Sequence, residues 1–354
     1  MRSIGVRPIK SSERNHMRIL GGFISTTILM FFLGVGPAGA VVIKIATLSP
    51  DGSAWMEKMR AGGEEVAEKT GGAVKFKFYP GGVMGDDKAV LRKIRLGQLQ
   101  GGAVVSGSLS EVFPDNQVYC LPMVFESFEQ AAYVRERMDP VITRGIADGG
   151  YVVLGMAGGG FAYIMGQSRV TSIEDLRRRK LWAPENDEFS LAVILAYEAN
   201  PIPLSIGDVL AGLQTSLIDT VASSPVAAIA LQWHTQVKYV TDIPLMYVYG
   251  ILMLDKRTFD KLSPEQQTIV QDVMGRVFRE IEQQNIDDND KALAAIENQG
   301  VEFLSVPEAE LAKWRGVAGT VAARLVEKNR LSQDVVDRLE ETLADYRKEN
   351  CRDE

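Results

Sequence analysis

Thr171 to Asn200 reads TSIEDLRRRKLWAPENDEFSLAVILAYEAN, and its order of pieces decides the kind of fold. Ser172 and Asp175 have the spacing of a capping box at the start of a short helical turn. Arg177 to Lys180 is a basic run, and Lys180 to Ala183 a short strand. Pro184 ends that strand, since proline has no N–H to give a sheet. Glu185, Asn186 and Asp187 then lead into an apolar helix from Phe189 to Tyr197. A strand that stops at a polar loop and turns into a helix is the unit with which open α/β sheets build ligand sites. Trp182, a large aromatic at the strand's exit, is its odd member.

The same unit recurs upstream. Val41 to Leu48 is a buried strand, Ser49 to Ser53 a turn, and Ala54 to Lys69 a helix stopped by Gly71 and Gly72. Val74 to Tyr79 is a second strand and Asp86 to Leu96 a helix with Gly97 at its C′. Ala103 to Val105 is a third strand, leading into Ser106-Gly107-Ser108. This alternation predicts a mostly parallel sheet with ligands at strand carboxyl ends. Phe128 to Met138 follows as a helix. Tyr151 to Met156 and Phe161 to Gly166 read as two strands, with the glycines of Ala157 to Gly160 permitting a crossing between lobes.

Downstream, Ile206 to Thr215 is a helix and Ile218 to Val221 a strand. Ser223-Ser224-Pro225 opens an amphipathic helix that runs through Gln236. Lys238 to Thr241 and Leu245 to Leu254 are strands, the second returning to the first lobe. Ser263 as N-cap and Pro264 at N1 start a long helix. Its apolar positions Ile269, Val273, Val277 and Ile281 continue to about Ile296, long enough to span two lobes. Gly300 to Leu304 is a late strand, and the remainder is helical and charged. The expected architecture is two α/β lobes with strands crossing between them. One lobe takes residues 41–160 plus about 250–290, the other 161–249 plus about 291–350.

Composition bounds the function. The 354 residues are 46% hydrophobic and 24% charged, ordinary for a globular protein. A net charge of −7 and the lack of a basic stripe argue against nucleic acid. With two histidines and two cysteines, a His/Cys metal cluster is out of reach, and any catalytic triad would need His234. His234, in ALQWHTQV, reads as a structural histidine. No nucleophile elbow, P-loop or zincin motif is present. The acid pairs Glu64/Glu65 and Asp86/Asp87 fall in helices and read as solvated faces. No enzyme activity, cofactor or metal is expected. Cys120 and Cys351 could pair only if the tail docked near residue 120.

The N-terminus reads as a targeting segment. Arg2, Arg7, Lys10, Arg14 and Arg18 precede an apolar run, Ile19 to Val35, and Ala38-Gly39-Ala40 supplies an A-x-A ending. That order describes a secretory signal peptide over residues 1–40, cleaved after Ala40. As a membrane anchor the run would be at the short edge of a span and is interrupted by polar residues. The mature protein is therefore expected to be exported, into the periplasm.

What remains is a set of strand-end loops with small hydroxyls and large aromatics. Ser106 and Ser108 follow the third strand, and Ser223 and Ser224 precede the amphipathic helix. Trp182 ends the central strand, with Glu185 and Asn186 beyond it. Phe161 and Tyr163 lie near the crossing, and Trp55 starts the first helix. Convergent polar atoms in an aromatic-lined cleft describe a small-molecule site.

Several segments in this order resemble the periplasmic solute receptors of TRAP transporters, the DctP-type family. They are YPGGVMGDDKAVLRKIRLGQLQGG, SIEDLRRRKLWAPEND, LAGLQTSLIDTVASSP, WHTQVKYVTDIP and LSPEQQTIVQDV. The resemblance implies a periplasmic-binding-protein-like two-lobe α/β fold, with crossover strands and a long helix bracing both lobes. It implies a receptor that closes on a small solute and hands it to TRAP membrane subunits driven by an ion gradient; a monomer is expected. It also implies an arginine that grips the solute's carboxylate, at the position occupied here by Trp182. A second arginine of the family corresponds to Ala162, and an asparagine to Ser223 or Ser224.

Two solutes then fit. One is a neutral or cationic compound stacked on Trp182. The other is an organic acid held by hydroxyls, backbone N–H groups, a relocated basic residue or a bridging cation. A periplasmic α/β enzyme using Glu185 and Asp187, or a ligand sensor, is the alternative function for the same cleft.

Overall fold

β-branched and aromatic residues set the first two strands, and the third is a buried run of small residues ending in two valines. They are β1 (Val41–Thr47), β2 (Val74–Tyr79) and β3 (Gly101–Val105), and β1 pairs in parallel with both others. Helix α1 (Ala54–Lys69) starts where Ser53 accepts the N–H of Met56, and α2 (Asp87–Arg95) where Asp86 accepts that of Ala89. The computed structural model describes residues 40–185 and 187–350. Apart from Ala40, the expected leader lies outside these residues, as do Asn186 and Cys351. Cys120 is a free, buried thiol.

Two 3-10 turns, Ser106–Leu109 and Pro114–Cys120, precede α3 (Phe128–Asp148). This helix runs through Pro140, well past the expected end at Met138. Beyond the proline, Ile142 and Ile146 are fully buried. Each contributes roughly 1.5–3 kcal/mol, which offsets the roughly 3 kcal/mol that an interior proline costs.

The chain then crosses. β4 (Tyr151–Gly166) is one continuous strand where two were expected, with the glycines inside it. The next elements are α4 (Ile173–Arg177), β5 (Lys180–Pro184), α5 (Glu188–Ala196), β6 (Asn200–Leu204), α6 (Val209–Gln214) and β7 (Thr220–Ser223). β6 was not expected, because Pro201 and Pro203 speak against a strand. It is an edge strand, and its missing N–H groups need no partner on the open side.

α7 (Pro225–Ala230) is followed by a 3-10 turn at Trp233–Gln236, so the single helix expected through Gln236 is broken. Gln232 lies between them at φ 61°, in the left-handed region. β8 (Tyr239–Asp255) is again one strand where two were expected. The chain ends with α8 (Lys256–Phe259), α9 (Pro264–Asn298), β9 (Glu302–Leu304), α10 (Glu308–Glu327) and α11 (Gln333–Asn350).

All nine strands form one sheet in the order β2-β1-β3-β8-β4-β7-β5-β6, with β9 on β8. It is mixed rather than mostly parallel. The parallel trios β2-β1-β3 and β7-β5-β6 are joined through the antiparallel pair β8–β4, whose register shifts at three places. Helix α9 braces this junction; its 35 residues make a rod about 52 Å long. Two buried asparagines on it hold the glycines of the crossing. Asn285 Nδ2 donates to the Gly158 carbonyl at 2.6 Å, and Asn289 Nδ2 to that of Gly159 at 3.1 Å. Their oxygens reach in opposite directions. Asn285 Oδ1 accepts from Trp55 Nε1 at 3.1 Å, and Asn289 Oδ1 from the Val226 N–H at 3.3 Å.

Candidate functional site

The carboxyl ends of the parallel trios point at each other across the β8–β4 junction and enclose a cavity of about 760 Å³. That volume suits a small organic molecule. Its walls come from both trios, α7 and α9.

On one side stands the turn after β3. Ser106 is buried, and its Oγ lies 3.4 Å from Cys120 Sγ. Burial pushes that thiol up to about 12, so it stays protonated and presents a small apolar wall. Ser108 Oγ donates to Asp87 Oδ2 at 2.9 Å, and the Val105 N–H donates to the same oxygen at 3.0 Å. Asp87 is only 4% exposed, and its Oδ1 has no hydrogen-bond partner. Desolvation pushes its carboxyl up to about 6, partly countered by the Val105 and Ser108 bonds. The expectation that Asp86 and Asp87 are solvated is corrected here. Asp86 caps α2, and Asp87 turns into the core side of the helix. Trp55 lines the cavity too. Its ring meets Phe278 edge-on at 5.7 Å and lies 3.0 Å from where a Cβ on Gly250 would be.

On the other side, Trp182 is 8% exposed, donates its Nε1–H to the Leu204 carbonyl at 3.0 Å and meets Trp233 edge-on at 5.0 Å. Its ring is shared between core and cavity, and its N–H is committed to β6. Glu185 is exposed at the rim. Ser224 caps α7 through the Ala227 N–H, and Ser223 Oγ donates to the Ser224 carbonyl at 3.2 Å.

The two sides touch at Asp187. As N-cap of α5 it accepts from the N–H groups of Phe189 and Ser190, and it also accepts from Gln117 Nε2 at 3.1 Å. A Cβ on Gly107 would come within 2.7 Å of Asp187 Oδ2, so a larger residue there would push the Asp187 carboxylate aside.

The structure thus brings Trp55, Ser106, Ser108, Trp182, Glu185, Ser223 and Ser224 to one cavity. Phe161 and Tyr163 are not in its lining. Phe161 packs in the core against Phe128 and Tyr247, at 5.0 and 5.7 Å, and Tyr163 is half-buried opposite Ser223 on β7. Asn186 falls outside the described residues. His234 is off the lining as well, with Nδ1 3.1 Å from the Ala228 carbonyl oxygen.

Sequence reasoning missed Asp87, Gln117, Trp233 and Asn285 as wall residues. A signal for Asp87 existed: with Val90, Leu91 and Ile94 it occupies the i, i+3, i+4, i+7 face of α2, all four buried. Among the described residues, no His, Cys, Asp and Glu cluster could hold a metal ion.

The sequence profile of the bacterial extracellular solute-binding proteins, family 7 (DctP), matches residues 45–329. The uncharacterized protein YiiZ of Salmonella typhimurium is 27% identical over 249 residues, 69% of this chain and 76% of that protein. Among solved structures, the sugar acid binding protein DctPAm from Advenella mimigardefordensis, in complex with galactonate, superposes with a TM-score of 0.81 at 18% identity. The match covers 87% of this chain and 99% of that one. DctP7 of Bordetella pertussis, an extracytoplasmic solute receptor binding pyroglutamic acid, gives 0.79 at 18% identity, covering 86% and 100%. At such identities the likeness is one of fold, the two-lobe fold of periplasmic solute receptors.

Proposed function

The chain belongs to the bacterial extracellular solute-binding proteins of family 7, which are receptors and not enzymes, and from that premise we propose a specific cycle for it. The protein is exported by a leader removed after Ala40, acts in the periplasm as a monomer, closes on a small organic solute and delivers it to a TRAP-type membrane permease driven by an ion gradient. The lobes are 41–160 with about 250–290, and 161–249 with about 291–350, and they flex about the glycines near Gly158. Among the described residues, no helix is long and apolar enough to cross a membrane.

The observation that carries this reading is the bridge at Asp187. A cavity walled from both trios, with Gln117 of one side bonded to the N-cap of α5 on the other, has the geometry of a closed receptor. The ligands named for the two structural neighbours, galactonate and pyroglutamic acid, support a small polar organic molecule as cargo. The test is a thermal-shift screen of the purified protein against organic acids, amines, polyols and aromatic compounds. A cognate solute at 100 times Kd should stabilise the fold by about 2.7 kcal/mol, seen as a higher melting temperature. A flat response across all four classes would overturn the receptor reading.

A further inference from the structure

Two walls of the cavity hang from one turn of α9. Asn285 Oδ1 accepts from Trp55 Nε1, and Asn289 Oδ1, four residues on, accepts from the Val226 N–H. Residues four apart on a helix are neighbours on the same face, about 5–6 Å from one another. The start of α1 and the start of α7 are therefore anchored side by side, and both line the cavity.

What each anchor presents to the cavity is hydrocarbon. Val105 and Gly250 pair across β3 and β8, so they share a face of the sheet. Gly250 has no side chain, and the Trp55 ring occupies that room, 3.0 Å from where a Cβ would stand. Val105 is beside it in the cavity wall, yet 43% exposed for an aliphatic residue. Val248, two residues before Gly250 on β8 and so on the same face, lines the cavity too. From the other anchor, Val226 and Ile229 stand one turn apart on α7, half-buried and in the lining.

Four hydrogen-bond donors of the wall are spent within the protein. Trp55 Nε1–H goes to Asn285, Trp182 Nε1–H to the Leu204 carbonyl, the Tyr249 hydroxyl to the Asn116 carbonyl and the Ser223 hydroxyl to the Ser224 carbonyl. Lys88, Arg95 and Lys291 line the cavity but are exposed. A solute hydroxyl carried between the two anchors gives up its bonds to water and meets C–H groups, which costs affinity. A hydrocarbon there gains by leaving water and covers Val105 as it does so.

Resting on the receptor reading above, we infer that the solute has an apolar body, a hydrocarbon ring or branched chain, clamped between the Trp55–Val105–Val248 face and Val226 and Ile229 of α7. Its polar group is carried at one end, outside this clamp.

The test compares compounds of matched ring size and head group that differ in hydroxylation. Cyclohexanecarboxylate is set against D-glucuronate, cyclohexanol against myo-inositol, and cyclohexylamine against D-glucosamine, with 3-phenylpropanoate as a longer apolar probe. Binding is read by calorimetry and thermal shift. The expected result is that, for at least one head group, the apolar member binds about tenfold or more tightly than its hydroxylated partner. Val105→Thr and Val226→Thr keep the side-chain shape and put a hydroxyl in place of a methyl. Each should weaken the apolar compound about tenfold. Unchanged affinity in both variants overturns the clamp, and the comparison on the unsubstituted protein stands even if neither variant folds. Binding of hydroxylated compounds as tight as, or tighter than, that of their apolar partners overturns the inference and leaves the receptor reading intact. Silence from every compound overturns both.

Discussion

At Asp87 burial brings a carboxyl toward neutral pH. Its carboxyl titrates at about 6 in the folded protein against 3.8 for the ordinary group. Between those values the folded state holds the proton more tightly than the unfolded chain. Stability from this group is therefore fully present below about pH 4 and is lost as pH rises through 6. Two pKa units correspond to about 3 kcal/mol at neutral pH. Asp87→Asn removes that loss, so in urea titrations the variant should gain on the unsubstituted protein between about pH 4 and pH 6 and level off above that. A constant difference across that range would mean that Asp87 is solvated. Trp182 carries the complementary lesson. Its place at the strand's exit was legible from the sequence, but the donation of its N–H to Leu204 was not, because the acceptor is contributed by β6.

At the level of elements, the α9 brace has consequences. Asn285→Leu would leave the buried Gly158 carbonyl and the half-buried Trp55 N–H without their asparagine partner. Each orphaned group costs about 1–3 kcal/mol. A loss of about 2–5 kcal/mol is expected in chemical denaturation, well beyond a surface substitution such as Glu64→Gln. α9 itself was legible, because the Ser263–Pro264 start and its apolar period are local signals. The continuity of β4 and β8 was not. Glycines and Pro244 argue locally for breaks, and only the mutual pairing of the two strands, with its register shifts, carries the chain across. β6 escaped notice for the same reason: its prolines are tolerated because nothing pairs with its outer edge.

For the whole molecule, closure depends on contacts between distant segments. Gln117→Leu removes the hydrogen bond to Asp187 that joins the two sides of the cavity. A bond to a carboxylate contributes about 1.5–3 kcal/mol. The variant should bind its solute about tenfold or more weakly, and hydrogen exchange at residues 106–108 should quicken; unchanged affinity would show that the bridge does not hold the closed state. The sequence by itself determined the strand-loop-helix units, the cap-and-stop signals of the long helix, and the segments that mark the family. These are properties of residues near one another in the chain, where spacing and backbone preference decide. Only the tertiary structure decided that the sheet is mixed, that Phe161 belongs to the core and that Asp87 is turned inward with an oxygen unmatched. Burial and hydrogen-bond partners are set by segments far apart in sequence, and the pKa of a carboxyl follows from them. The charge of the cavity is therefore a property of the fold, written in residues that no local pattern brings together.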